Sequence, residues 1–133
     1  MNSKRALSFG DTLSGGDRTT EKDQIKADAT VEGISIRIYP TPGGNVEIGD
    51  TTLRVTPSVR KEQTSTEENL IRFNGKPFVD GDIDVFTFDV SIPVEEDDTI
   101  VVDAVNPAGN GDFDFRANVE IDYRNGLRSV DLA

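Results

Sequence analysis

The stretch from residue 112 to residue 123 constrains the fold more than any other part of the sequence. It alternates polar and apolar side chains without a break. The apolar set is Phe113, Phe115, Ala117, Val119, Ile121 and Tyr123, and the polar set is Asp112, Asp114, Arg116, Asn118, Glu120 and Asp122. Because successive side chains of a strand point to opposite faces of a sheet, this pattern predicts a long strand with one face in a core. We expect Asp114, Glu120 and Asp122 to be exposed.

Shorter stretches with the same period of two occur from residue 29 onward. The alternating apolar sets are Ile34, Ile36 and Ile38; Leu53 and Val55; and Phe86, Phe88, Val90 and Ile92. The nearly continuous apolar run from Ile100 to Val105 predicts a central strand. Val85 is out of phase with Phe86, which predicts either a β-bulge near Val85 or a strand buried on both faces.

Turn residues separate these strands. Asn-Gly pairs at 74–75 and 125–126 favour two-residue hairpins, because both residue types tolerate positive φ angles. No long stretch has helical periodicity. Seven or eight short strands in a domain of this length predict an all-β sandwich. A jelly roll is favoured over an immunoglobulin-like sandwich, although sequence alone does not separate their strand orders.

Residues 1–28 differ in composition from residues 29–133. They contain five basic and five acidic residues, several Gly, Ser and Thr, and few apolar residues. We therefore predict an extended N-terminal arm at 1–28 and a β-sandwich domain at 29–133. A docked arm would bind neighbouring chains, with Leu7, Phe9 and Leu13 inserting into them and Lys4 and Arg5 meeting acidic surfaces. The alternative is a disordered leader.

The net charge of the chain is −11, from 25 acidic and 14 basic residues. Asp outnumbers Glu by 16 to 9, and Arg outnumbers Lys by 9 to 5. The acidic side chains of such a domain repel one another, but at 1 M salt the screening length is only about 3 Å, so this repulsion is weak. The composition therefore predicts adaptation to very salty water. The alternative is an ordinary acidic protein. Either interpretation predicts no nucleic-acid partner and no membrane insertion.

The chain contains neither Cys nor His, which excludes thiol chemistry, disulfides, an imidazole base and the usual zinc ligands. The acidic residues fall at turns and on polar strand faces, so we expect no catalytic site and no cofactor. The segment at 80–84 places Asp80, Asp82 and Asp84 around a glycine, as in half of a calcium loop. These three are weak candidates for structural calcium or magnesium, and a solvated acidic loop is the favoured interpretation.

The N-terminal sequence MNSKRALSFGDTLSGGDRTTEKDQ lacks the apolar core of a signal peptide, and no later run is long enough to span a bilayer. With this polar segment ahead of a short acidic β-domain without Cys, the chain resembles small virion proteins of haloarchaeal viruses. The resemblance implies a penton, capsid or decoration protein, assembled in the host cytoplasm. It implies homo-oligomers that also contact other capsid proteins.

Two other functional classes remain open on the sequence. One is a tail or filament subunit of such a virus, which would associate head to tail. The other is a cellular β-sandwich module that binds calcium or a glycan.

Overall fold

The computed structural model describes residues 3–40, 53–72, 75–81, 84–109 and 111–123, which form nine β-strands. No helix occurs among these residues, as predicted. The strands are β1 Ser3–Leu13, β2 Arg18–Gln24, β3 Ala29–Pro40, β4 Leu53–Arg60, β5 Glu67–Asn69, β6 Val79–Gly81, β7 Asp84–Val94, β8 Thr99–Val105 and β9 Phe113–Tyr123.

The strands form two antiparallel sheets. Sheet A has the order β1-β9-β3-β7, and sheet B has the order β2-β8-β4-β5, with β6 also paired to β4. From β1 to β4 and from β7 to β9, each strand lies in the opposite sheet from the one before it. This alternation is typical of a jelly roll, whereas an immunoglobulin-like domain keeps several pairs of consecutive strands, such as its first two, in one sheet. The prediction of a β-sandwich is confirmed, and its strand order is that of the favoured jelly roll.

The core lies between the sheets and contains the apolar face of β9. Phe113, Phe115, Val119 and Ile121 are buried, as predicted, and Glu120 is exposed. The prediction was wrong for Asp122, which is only 8% exposed. Asp122 lies between Lys4 of β1 and Thr30 of β3, whose side chains are larger than the serines that flank the exposed Asn118 and restrict the access of water more. Asp114, which was also predicted to be exposed, is half-buried. β8 is a central strand, as its continuous apolar run predicted.

The described residues of the predicted arm belong to the sandwich. β1 pairs with β9 over eleven positions, from Ser3 opposite Tyr123 to Leu13 opposite Phe113. β2 pairs with β8 along its whole length. The boundary predicted at residue 28 therefore does not separate two parts of this fold. The segment has few apolar residues, but they are enough to hold β1 and β2 against the core, because an edge strand needs an apolar side chain only where it faces the core.

The bulge predicted near Val85 is not found there. Val85 pairs in regular register with Arg37, and its side chain is 52% exposed. The register shifts instead between Val31 and Gly33 of β3, against both of its partner strands. Of the predicted hairpins, the one at 125–126 and residue 74 of the other lie outside the described residues.

Candidate assembly surfaces

The five residues predicted to bind partners from the arm divide into two groups. Phe9 and Leu13 are buried in the core of the chain itself, which accounts for both side chains without a neighbouring chain. Lys4 and Arg5 are exposed, and Leu7 is half-buried against the core. The Lys4 ammonium lies 3.6 Å from the Glu32 carboxylate at the surface. Of the five residues, Lys4, Arg5 and Leu7 remain candidates for contact with another chain.

Side-chain hydrogen bonds hold the middle of β1 in sheet A. The Gly10 N–H donates to the Glu21 carboxylate of β2 (2.8 Å), and the Ser8 hydroxyl donates to Asn118 (2.9 Å). A Cβ on Gly10 would lie 2.8 Å from the Phe115 carbonyl oxygen, so only glycine allows this close approach without a shift. The Glu21 contact occupies a backbone donor at the edge of the sheet, which reduces the tendency of that edge to pair with another strand.

A depression of about 350 Å³ lies at this end of sheet A, beside Tyr39 and Arg116. The carboxylates that line it serve structural hydrogen bonds: Asp11 accepts from the Thr12 N–H, and Asp114 accepts from the Thr12 hydroxyl. Arg116 Nε donates to the Tyr39 hydroxyl at 3.1 Å. Through these hydrogen bonds, the side chains that line the depression hold the edge of sheet A in place.

Asp98, in the turn between β7 and β8, is 2% exposed. Its carboxylate accepts hydrogen bonds from the Glu95 N–H (2.9 Å), the Glu62 N–H (3.1 Å) and the Lys61 ammonium (3.0 Å). Burial alone would raise the pKa of Asp98, but the two backbone donors and Lys61 outweigh it and lower the pKa below its usual value. The Ile25 N–H donates to the backbone carbonyl of Asp98, so the same turn also holds the end of β2.

The predicted calcium candidates were not brought into a described site. Asp80 lies in β6 and Asp84 begins β7, while Asp82 lies outside the described residues. Among the residues that the structure does describe, no group of three or more acidic side chains is arranged to hold a metal ion.

The outer face of sheet A carries three successive rows of side chains across β9, β3 and β7. The strand register defines them as the basic row (Arg116, Arg37 and Val85), the neutral row (Asn118, Ser35 and Thr87) and the acidic row (Glu120, Gly33 and Asp89). Arg37 stands directly opposite Arg116, and Gly33 stands between the two carboxylates. The three rows thus run from positive through neutral to negative along the strands.

The surface is concave over the neutral and acidic rows. A hollow of about 470 Å³ lies there, lined by Ala6, Gly33, Ile34, Ser35, Thr87, Asp89, Asn118 and Glu120. The hollow forms because Gly33 has no side chain and because the side chains of the adjacent neutral row are short. The sequence predicted that Glu120 would be exposed, but it did not indicate that residues of three separate strands form rows of opposite charge.

No protein-family model and no curated protein matched the sequence. The structure resembles the mitogen of Yersinia pseudotuberculosis, with a TM-score of 0.55, 6% identity, and coverage of 96% of this chain and 92% of that chain.

The structure also resembles a chain of infectious bursal disease virus, Gt strain, with a TM-score of 0.51 and 13% identity. That likeness covers 92% of this chain but only 32% of the viral chain. The BFDV capsid protein has a TM-score of 0.44 and 10% identity, over 93% of this chain and 98% of that chain.

Among the described residues, no helix has the length and apolar character needed to cross a membrane. At these low identities the likenesses to the mitogen and to the infectious bursal disease virus chain show a shared fold. The chain therefore has a jelly-roll fold that also occurs in a bacterial mitogen and in a virus.

Proposed function

We propose that this chain is a structural virion protein, a capsid-associated jelly roll that self-assembles in the particle of a halophilic archaeal virus. The observation that carries the proposal is the strand order of the two sheets, β1-β9-β3-β7 and β2-β8-β4-β5. Viral capsid proteins commonly use such jelly rolls. The likeness to infectious bursal disease virus over 92% of this chain supports the same assignment.

The surface of the described residues also favours a structural role. Lys4 and Arg5 at the end of β1 are exposed and Leu7 is half-buried, so this end of the strand would touch neighbouring capsid subunits. The expected partners are further copies of the chain and other capsid proteins. The expected location is the virion.

The proposal is tested by the oligomeric state of the purified chain in about 2 M salt. Multi-angle light scattering after size exclusion should show a defined oligomer, and electron microscopy should show particles of uniform size. A chain that stays monomeric at every concentration and salt level would count against a role in assembly.

The halophilic part of the proposal rests on the net charge of −11 and the excess of Asp over Glu. Self-repulsion grows as screening is removed, so the melting temperature should fall by roughly 5 °C, or about 1 kcal/mol, between molar and 0.1 M salt. Sodium chloride and potassium chloride at equal ionic strength should act alike. A melting temperature that stays constant or rises on desalting would refute adaptation to salt.

A single-domain binding protein is the second candidate. The Yersinia mitogen shares the fold over 92% of its own chain, so this fold also occurs in a protein that is not named as part of a virus particle. Such a binding protein would work as a monomer, so the light-scattering experiment separates the two candidates.

A further inference from the structure

The basic, neutral and acidic rows of the outer face of sheet A carry charges in an order that complements itself, and on β9 they are flanked by Asp114 on one side and Asp122 on the other. We infer that this face binds the same face of a second copy of the chain, around a twofold axis that runs across the strands along the neutral row. The inference rests on the proposed self-assembly and names the surface that would carry it.

The basic row is the first reason for this inference. Arg37 and Arg116 stand opposite each other on adjacent strands, a position in which like charges repel. Arg116 donates a hydrogen bond to the Tyr39 hydroxyl, and the nearby Asp114 carboxylate also favours its charge and so raises its pKa. Neither guanidinium lies within ion-pair distance of a carboxylate among the described residues, in a chain with a net charge of −11. A carboxylate from outside the chain would relieve the repulsion.

The acidic row is the second reason. Glu120 and Asp89 are exposed and form no ion pair with a described residue, and they flank Gly33 on both sides. An exclusively acidic partner that reached the arginines would be repelled by these two carboxylates. A partner must therefore present negative charge to the basic row and positive charge to the acidic row, as the same face of a second copy does.

The spacing of the rows permits this arrangement. Arg116 and Glu120 are four residues apart on β9, which corresponds to about 13 Å along a strand. The neutral row lies midway between them. A twofold axis along the neutral row therefore places the basic row of one copy over the acidic row of the other, and the contact occurs twice.

The hollow completes the fit. In this arrangement β3 of one copy lies across β3 of the other, so Arg37 of each copy stands over Gly33 of its mate. The Glu120 carboxylate lies over Gly33, with its Oε2 3.0 Å from the position that a Cβ on Gly33 would take. The long guanidinium side chain would enter the hollow beside Gly33 and meet this carboxylate. Charges enclosed in this way are screened less by salt than exposed charges, so the contact is suited to concentrated salt.

Reversing the charges tests the inference. In one variant Arg37→Glu and Arg116→Glu make the basic row acidic, and in the other Asp89→Arg and Glu120→Arg make the acidic row basic. Each variant alone would place like charges against each other, so its self-association should weaken by about 100-fold or more. An equimolar mixture of the two should associate again, because every contact between unlike copies is then attractive.

The matched control is the pair Lys22→Glu and Arg72→Glu, which changes the net charge by the same amount as the first variant. Both control residues are exposed and lie outside sheet A. Sedimentation velocity at about 1 M salt measures association, and a thermal melt of each variant checks that it is folded. The control should associate like the unmodified chain.

The outcomes separate the inference from the proposed function. Oligomers of the unmodified chain that persist unchanged in both charge-reversed variants would overturn the inference and leave self-assembly standing. Loss of association in the control variant would also overturn it, since net charge alone would then explain the effect. An unmodified chain that never associates would refute the proposed function together with the inference.

Discussion

β1 and β9 are hydrogen-bonded to each other over eleven positions, yet only one of them was predicted from the sequence. β9 presents an apolar side chain to the core at every second residue. β1 follows the same geometry with fewer apolar residues: Phe9 and Leu13 are buried and Leu7 is half-buried, whereas Asp11 between them is exposed. β9 lies inside sheet A and β1 lies at its edge. In this sheet, the strand with the complete alternating pattern lies in the interior, and the strand with the incomplete pattern lies at the edge.

Deleting residues 1–28 has the largest expected effect on this pair of strands. The deletion removes β1 from sheet A and β2 from sheet B, and with them Phe9, Leu13 and Ile25 from the core. We expect the truncated chain to lose its cooperative thermal transition and to aggregate. A soluble truncated chain with an unchanged melting temperature would show that the segment is an arm and not part of the sandwich.

Matched truncations of one phenylalanine in each strand measure the difference directly. Phe115→Ala in β9 should cost about 3–5 kcal/mol of unfolding free energy, and Phe9→Ala in β1 about 2–3 kcal/mol, because a site near the edge collapses more easily around the lost ring. Urea denaturation gives both values. Ala6→Ser, at an exposed position on the outer face of β1, is the control and should change the stability by at most about 0.5 kcal/mol. Equal losses of unfolding free energy for the two variants would show that the cost does not depend on whether the strand is interior or at the edge.

Asp98→Asn tests the turn that holds the end of β2. The substitution weakens hydrogen bonds to a buried carboxylate and should cost about 2 kcal/mol at pH 7. The lowered pKa of Asp98 means that its contribution is complete above the unfolded-state pKa of about 3.9 and is lost as pH falls through the lower folded-state pKa. The stability difference between the two proteins should thus stay constant from pH 7 to about pH 5 and shrink below about pH 4. A difference that already shrinks at pH 6 would assign the effect to another group.

Arg18→Ala, at the start of β2, has the smallest expected effect. Arg18 forms two hydrogen bonds to the Asp103 carboxylate of β8, at 3.0 and 2.9 Å, but its side chain is largely in water. Exposed ion pairs contribute little, so the melting temperature should fall only slightly. Lys22→Ala on the same strand should leave it unchanged. A melting temperature that instead falls as far as it does for Phe9→Ala would be the contrary result. That result would show that surface charges hold β2 in place more strongly than the burial of Ile25 does.

The sequence predicted features that depend on residues close together in the chain. The alternation of β9, the apolar run of β8 and the absence of long helices among the described residues all belong to this class. The pairing of β3 with β9 joins residues about 80 positions apart, and no local pattern fixes its register. For that reason the opposition of Arg37 and Arg116, the burial of Asp122 and the shift at Gly33 emerged only from the structure.

The pairing of β1 with β9 also determines when this protein can fold. Ser8 and Asn118, which are hydrogen-bonded across these strands, are separated by 110 positions. During synthesis, β1 leaves the ribosome long before the strand that it pairs with exists, and β9 must then lie between β1 and β3. Sheet A can therefore close only after residue 123 has been released from the exit tunnel. Until then the apolar faces of β1 and β3 are without their partner, and such a nascent chain is a natural client for chaperones.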